Sequence, residues 1–304
     1  MHFKQSAPIF LAGCAAGFLF CFSAINVTGG ALVIYLPVFP LLLLGLAYGS
    51  KPMPPASLIA AIIVTLFTGS SNIWFFAFVI ALPAFYFTHK ILLHKNVLEW
   101  YPVLRALAEL SLLASGLYMC VAILASQTEP GGLQALLSRE LADSLTSTDP
   151  AISHIMKFLT GEGGFFLFAA TGWSFVLMLY LFAVCANKLL LTRGLALRPS
   201  LALTPHGLPL MLPGILLISG AFAFFGQGAD RFNGETVFLL LILPYFLSGV
   251  ALIHTLSRGK RGRPFMLGIF YGALLLLLWP ALFAAGAGLC LQIAEILDRR
   301  HKIG

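Results

Sequence analysis

Asp, Glu, Lys and Arg are missing from long stretches of this chain: Ala7 to Ile25, Ala31 to Gly49, Phe165 to Cys185 and Thr236 to Leu256 each run without one. An α-helix rises about 1.5 Å per residue, so about 20 apolar residues cross the ~30 Å hydrocarbon core of a bilayer. Water is absent there, and the backbone must close its own hydrogen bonds, which leaves only helices and closed barrels as spanning structures. Barrel strands show alternation over about ten residues, and these runs do not alternate. The composition agrees. Of 304 residues, 60% are hydrophobic and 10% charged, against roughly 25% charged in soluble domains, and the mean hydropathy is +0.96. The expected fold is an all-α, polytopic transmembrane helix bundle forming a single integral membrane domain over 1–304.

Taken in order, the runs predict eight to nine spans. The first, Ala7 to Ile25, is followed by Asn26-Val-Thr-Gly-Gly. Pro37 and Pro40 fall in the first half of the second, Ala31 to Gly49, and predict kinked or partly unwound helix there. Two short segments follow, Ala56 to Thr68 and Ile73 to Thr88, interrupted by Gly69-Ser-Ser-Asn72 and by Pro83. They read as thin spans or as one re-entrant hairpin, and broken segments of this kind mark binding sites in transporters. The fifth run opens at Trp100-Tyr-Pro and continues to about Ser126. Leu133, Leu136, Leu137, Leu141 and Leu145 then form a near-helical stripe that predicts a short interfacial helix. Phe165 to Cys185, Leu208 to Phe225 and Thr236 to Leu256 are the next runs. The last, Phe265 to Ile293, is overlong and holds Pro280, which predicts a tilt or kink.

The net charge of +7 is distributed as the positive-inside rule requires, and without the aromatic-basic interleaving of a nucleic-acid binder. With the N-terminus cytoplasmic, Lys4, Lys51, Lys90, Lys95, Arg105, Lys188, Arg193, Arg198, Arg258, Lys260, Arg261 and Arg263 share one side, while the opposite loops carry Arg139, Lys157 and Arg231. The tail Asp298-Arg-Arg-His-Lys fits this orientation only if an early segment is re-entrant. Expected partners are the lipid bilayer and a partner membrane subunit or second copy, with no nucleic acid. Cys14, Cys21, Cys120, Cys185 and Cys290 all lie in apolar runs without a CxxC spacing and read as structural thiols.

No HExxH, GxSxG or phosphate-binding loop occurs, so neither an enzyme nor a cofactor or metal is expected. The strongest candidate site is Arg105 with Glu109, four apart on one helical face and inside an apolar run. An ionised group at that depth costs about 2.5 to 3.5 kcal/mol. The two must pair as a structural ion pair, face protein, or line a wet cavity. Pro37, Pro40, Asn72 and Trp74 join them as candidate binding residues on the broken early segments. His254, near the end of its run, reads as an interface histidine or as a proton relay.

The Pro-rich run Ile34-Tyr-Leu-Pro-Val-Phe-Pro, the Trp100-Tyr-Pro motif and the ending Phe246-Leu-Ser-Gly-Val-Ala-Leu-Ile-His254 resemble the YybS-like family of bacterial membrane proteins of unknown function. That family's first half is distantly similar to the substrate-binding S components of energy-coupling-factor transporters. The resemblance implies a bacterial inner-membrane location and a six-segment, S-component-like part over 1–190, followed by three additional apolar spans over 191–304. It also implies a small-molecule binding or transport role, with a membrane scaffold as the alternative. The S components dock their partner through AxxxA on the first helix, a pattern met here by Ala12 and Ala16.

The charge split yields a direct test of orientation. Lys95→Cys and Lys260→Cys should be shielded from an impermeant maleimide added outside intact cells, and Leu145→Cys should react. External labelling at position 260 would reverse the topology.

Overall fold

The computed structural model describes residues 6–25, 33–96, 99–144, 163–277 and 279–301. Lys4, the Asn26–Gly30 break and most of the acidic stretch after Ser144 lie outside the described residues. The helices are α1 (Ser6–Ile25), α2 (Val38–Tyr48), α3 (Met53–Thr68), α4 (Asn72–Ile91), α5 (Val103–Thr128), α6 (Gly132–Ser144), α7 (Gly164–Thr192), α8 (Leu212–Phe225), α9 (Ala229–Ser257), α10 (Arg263–Leu276) and α11 (Trp279–His301). A two-stranded antiparallel ribbon, β1 (His94–Asn96) with β2 (Glu99–Trp100), sits between α4 and α5.

Six of these helices, α1, α4, α5, α7, α9 and α11, are long and apolar enough to cross a membrane. The expected eight to nine spans exceed that number because α2, α3 and α8 have 11, 16 and 14 residues, short of the roughly 20 a crossing needs. The exterior is apolar: Phe225 is 87% exposed and Leu217 74%. Such surfaces mark a membrane or a partner, not contact with water.

Prolines place the breaks. Pro37 precedes α2 and Pro40 sits in its first turn, where the missing N–H has no helical partner to lose. The disturbance expected in the second run is therefore a short 3-10 turn, Val33–Tyr35, followed by a fresh helix start. Pro83 in α4 is accommodated by a π-helical turn, Phe76–Ala81, a wider turn that absorbs an interruption of the ladder. The last run needs correction. It is not one kinked helix, because α10 ends at Leu276 and α11 begins at Trp279, with Pro280 as its second residue. Proline here opens a helix instead of bending one.

The chain divides into two compact units, 1–106 with 175–202 and 107–174 with 203–304. In the first unit α1 lies against α3 at very close range. A Cβ added to Gly13 would come within 2.6 Å of the Ala56 carbonyl, and one on Gly17 within 2.9 Å of Ile63. Tyr35 and Phe39 meet the middle turns of α7 through Phe175 and Phe182.

The second unit is built on α9, which buries more of its apolar window than any other of the six long helices. Side chains tie the neighbours to it: Tyr118 donates to Asn233 at 2.8 Å, and Trp173 Nε1 donates to the Leu239 carbonyl at 2.8 Å. That carbonyl lies beside the site where Pro244 deprives Leu240 of its helical donor. α11 runs antiparallel to α9. Gly249 abuts the Ala284 carbonyl and Gly288 the Tyr245 carbonyl, with no room for a Cβ at either. Gly268 and Gly272 of α10, by contrast, face open space. Gly249→Val should therefore cost at least about 1 to 3 kcal/mol by overpacking, while Gly272→Ala should leave stability unchanged or slightly raised. Thermal unfolding in detergent would check the pair, and equal effects would show that the glycine contact does not control this packing.

Candidate functional site

The residues singled out from the sequence fall on several elements of both compact units. Ala16 is fully buried and Ala12 half-buried on α1. Asn72 Nδ2 donates to the Thr68 carbonyl at 3.1 Å, closing the end of α3. Trp74, 66% exposed, stacks on Phe78. Pro37 and Pro40 shape the start of α2. Arg105 and Glu109 are both half-buried, one turn apart on α5, and the Arg105 guanidinium lies 5.7 Å from the Tyr101 ring. His254 Nε2 bonds to the Tyr271 hydroxyl at 2.7 Å.

Two clusters that the sequence reading passed over carry more chemistry. In the first unit, Arg198, buried in the non-helical segment after α7, donates from Nη1 to the carbonyls of Ile91 (2.6 Å) and Tyr101 (3.0 Å), and from Nε to that of Ser200 (2.9 Å). Ile91 is the last residue of α4, and its carbonyl is one of those a helix end leaves without a partner. A cation there also meets the negative end of the helix dipole. The guanidinium further lies 5.5 Å from the Trp100 ring, and Lys90 lies 5.2 Å from that of Tyr101. Burial lowers the Arg198 pKa to about 10, which leaves it charged at neutral pH. It is a staple that holds the end of α4, the approach to α5 and the segment after α7 together.

In the second unit the segment Leu203–Met211, non-helical throughout, runs into the bundle before α8 starts. Ser248 Oγ donates to the Pro205 carbonyl at 2.7 Å, and Gln292 Nε2 donates to that of Pro209 at 2.8 Å. Ser248 lies roughly 13 Å along α9 from its last residue, at about 1.5 Å per residue. The segment is thus unwound backbone well inside the length of the central helix. Gly207, at φ 96°, supplies a bend that L side chains rarely adopt. That bend presents His206, whose Nδ1 donates to the Glu295 carboxylate of α11. His206 is exposed and Glu295 partly so. In the same unit the Tyr245 hydroxyl and Gln292 Oε1 are buried with no hydrogen-bond partner, and Tyr245 and Gln292 are only 1% and 3% exposed.

This second cluster combines an ionisable pair, the unmatched buried Oε1 of Gln292 and unwound backbone. Its sequence signal was the spacing of Pro205, Pro209 and Pro213 in a stretch without charge, which marks a broken span as Pro37 and Pro83 do. Glu295 lay just beyond the apolar run ending at Ile293. Arg198 had no local signal, because two of its three acceptors are backbone atoms about a hundred residues away in sequence. Comparison of the chain with protein-family models, with curated proteins and with solved structures finds no match.

Replacing Arg198 by Met leaves three carbonyls without their donor, one of them at a helix end. With about 1 to 3 kcal/mol for each buried group left unmade, Arg198→Met should lower stability by at least about 2 kcal/mol, and Arg198→Lys should recover only part, since a point charge cannot reproduce the fork. Chemical unfolding would measure both. Full recovery by lysine would mean that charge alone, and not the paired donor geometry, does the work.

Proposed function

We propose that the chain is a multi-pass protein of the bacterial inner membrane that binds or carries a small polar solute at the break before α8. One observation carries the reading: unwound backbone held partway along α9, next to the His206–Glu295 pair. Non-helical backbone at membrane depth is tolerated where it is buried in protein or lines a wet cavity, and ionisable groups there mark solute and proton paths. Solute sites of transporters are built around such discontinuous helices. The likeness to S components supports a solute-binding role, but His206, Gln292 and Glu295 lie in the additional apolar part, so the site stands without it.

In this reading the short helices α2, α3 and α8 cross as well, supplemented by flanking residues, and join the six long ones to make nine spans. α10 does not cross. The antiparallel course of α11 against α9 supports a C-terminus on the side opposite the N-terminus, so the basic tail departs from the positive-inside rule.

Glu295→Gln keeps the volume and a hydrogen bond but removes the charge. In nanodiscs, native mass spectrometry of the wild type should show a retained small molecule. In Glu295→Gln its occupancy should fall about tenfold, equivalent to about 1.4 kcal/mol, with Tm moving by less than about 4 °C. Unchanged occupancy in the variant would sink the assignment.

A further inference from the structure

The segment joining α9 to α11 has two properties that the solute site does not use. Arg258, Lys260, Arg261 and Arg263 fall within six residues, and no acidic residue occurs between Glu235 and Glu295. Arg258, Lys260 and Arg261 are exposed, and Gly259 at φ 80° turns the chain so that they cluster. The Nε of Arg263 is shut off from solvent and has no acceptor. α10 follows directly and has no buried residue. Phe265 is 74% exposed, Leu275 87% and Leu276 81%.

The course of α10 decides what these residues meet. α11 starts level with the last turns of α9, since Gly288 matches Tyr245 and Ala284 matches Gly249 in antiparallel order. Five residues separate the end of α9 from the start of α10, and α10 stops just before α11 begins, so both its ends lie at one end of that helix pair. Its middle is tied to the same level by the Tyr271–His254 bond. The helix therefore lies across the end of α9 and α11 instead of running beside them. Beneath the headgroups, an apolar helix placed so can bury its exposed side chains, with the basic turn at the level of lipid phosphates.

We propose that Arg258, Lys260, Arg261 and Arg263, with α10 as the apolar support, form a docking surface for anionic phospholipid headgroups on the cytoplasmic face. Charge complementarity selects the occupant: four cations in a stretch of chain without a carboxylate attract anionic lipid, and a row of exposed apolar side chains beside them suits acyl chains but not free phosphate. The inference rests on the membrane reading above and not on the solute site, so the Glu295→Gln result does not bear on it.

The full chain in detergent would be given phosphatidylglycerol, phosphatidylcholine or inorganic phosphate in turn, with retained lipid read by native mass spectrometry and Tm alongside. The wild type should retain phosphatidylglycerol over phosphatidylcholine, and R258Q/K260Q/R261Q should reduce that preference about tenfold or more. R258K/R261K should keep it, and so should K188Q/R193Q, which removes two exposed bases of another connector expected to be cytoplasmic. The proposal is overturned by equal retention of the two lipids in the wild type, by an undiminished preference in the triple variant, or by an equal loss in K188Q/R193Q. A rise in Tm with inorganic phosphate as large as that with phosphatidylglycerol would overturn it too, by pointing to a soluble anion.

Discussion

At several places where a described helix of this chain ends or is interrupted, a distant side chain donates to a backbone carbonyl at or near the break. Arg198 serves Ile91 and Tyr101, Ser248 serves Pro205, Gln292 serves Pro209, and Trp173 serves Leu239 beside the Pro244 interruption. The demand comes from the setting. A buried carbonyl without a partner costs about 1 to 3 kcal/mol, whereas a typical made bond returns about 0.5 to 1.5. An exposed pair such as Arg231–Glu235, one turn apart on α9, contributes about 0.3 to 0.5 kcal/mol. The donors to carbonyls therefore outrank the visible ion pairs in fixing the fold. Proline simplifies the problem at the break before α8: Pro205 and Pro209 have no N–H, so each leaves only an acceptor to satisfy.

The glycine contacts and the polar contacts depend on one another. Gly249 and Gly288 bring α9 and α11 so close that backbone meets backbone. That approach fixes the register between them, and with it the positions of Ser248, next to Gly249, and Gln292, one turn beyond Gly288. Both then reach the same unwound segment. A wider separation of the two helices would move one donor away from its proline carbonyl. Close packing by small residues is a van der Waals device; here it also sets hydrogen-bond geometry.

How much of this was legible in the sequence follows from the range of each interaction. The runs around α1, α5, α7 and α9 and the leucine stripe of α6 were readable because burial in an apolar medium acts on every residue of a segment. Breaks were readable in kind but not in place: proline predicted disturbance in the second and last runs, and the structure turns Pro37, Pro40 and Pro280 into helix starts. Six helices meet the length of a crossing where eight to nine runs suggested spans, because Gly49 and Gly69 end α2 and α3 early. Arg198 looked like one more base of a cytoplasmic connector. Its role depends on carbonyls whose positions only the fold decides, and no local pattern records them.

The same distinction separates the two charged pairs. Arg105 and Glu109 stood out because a charge inside an apolar run is expensive, yet expense identifies a group that must be accommodated, not a group that acts. Arg105 has the Tyr101 ring beside it, an accommodation that a structural residue needs as much as a functional one. His206 and Glu295 come instead from segments far apart in sequence, one on unwound backbone and one on a helix. Bringing them together also requires the bend at Gly207, at a φ of 96° that L side chains rarely adopt. Tyr245 and Gln292 each keep a buried polar atom without a partner in the same unit, where phenylalanine and leucine would pack at lower cost. The meeting of distant polar groups at a break in the backbone, and not the presence of charge alone, is what distinguishes a site from a support.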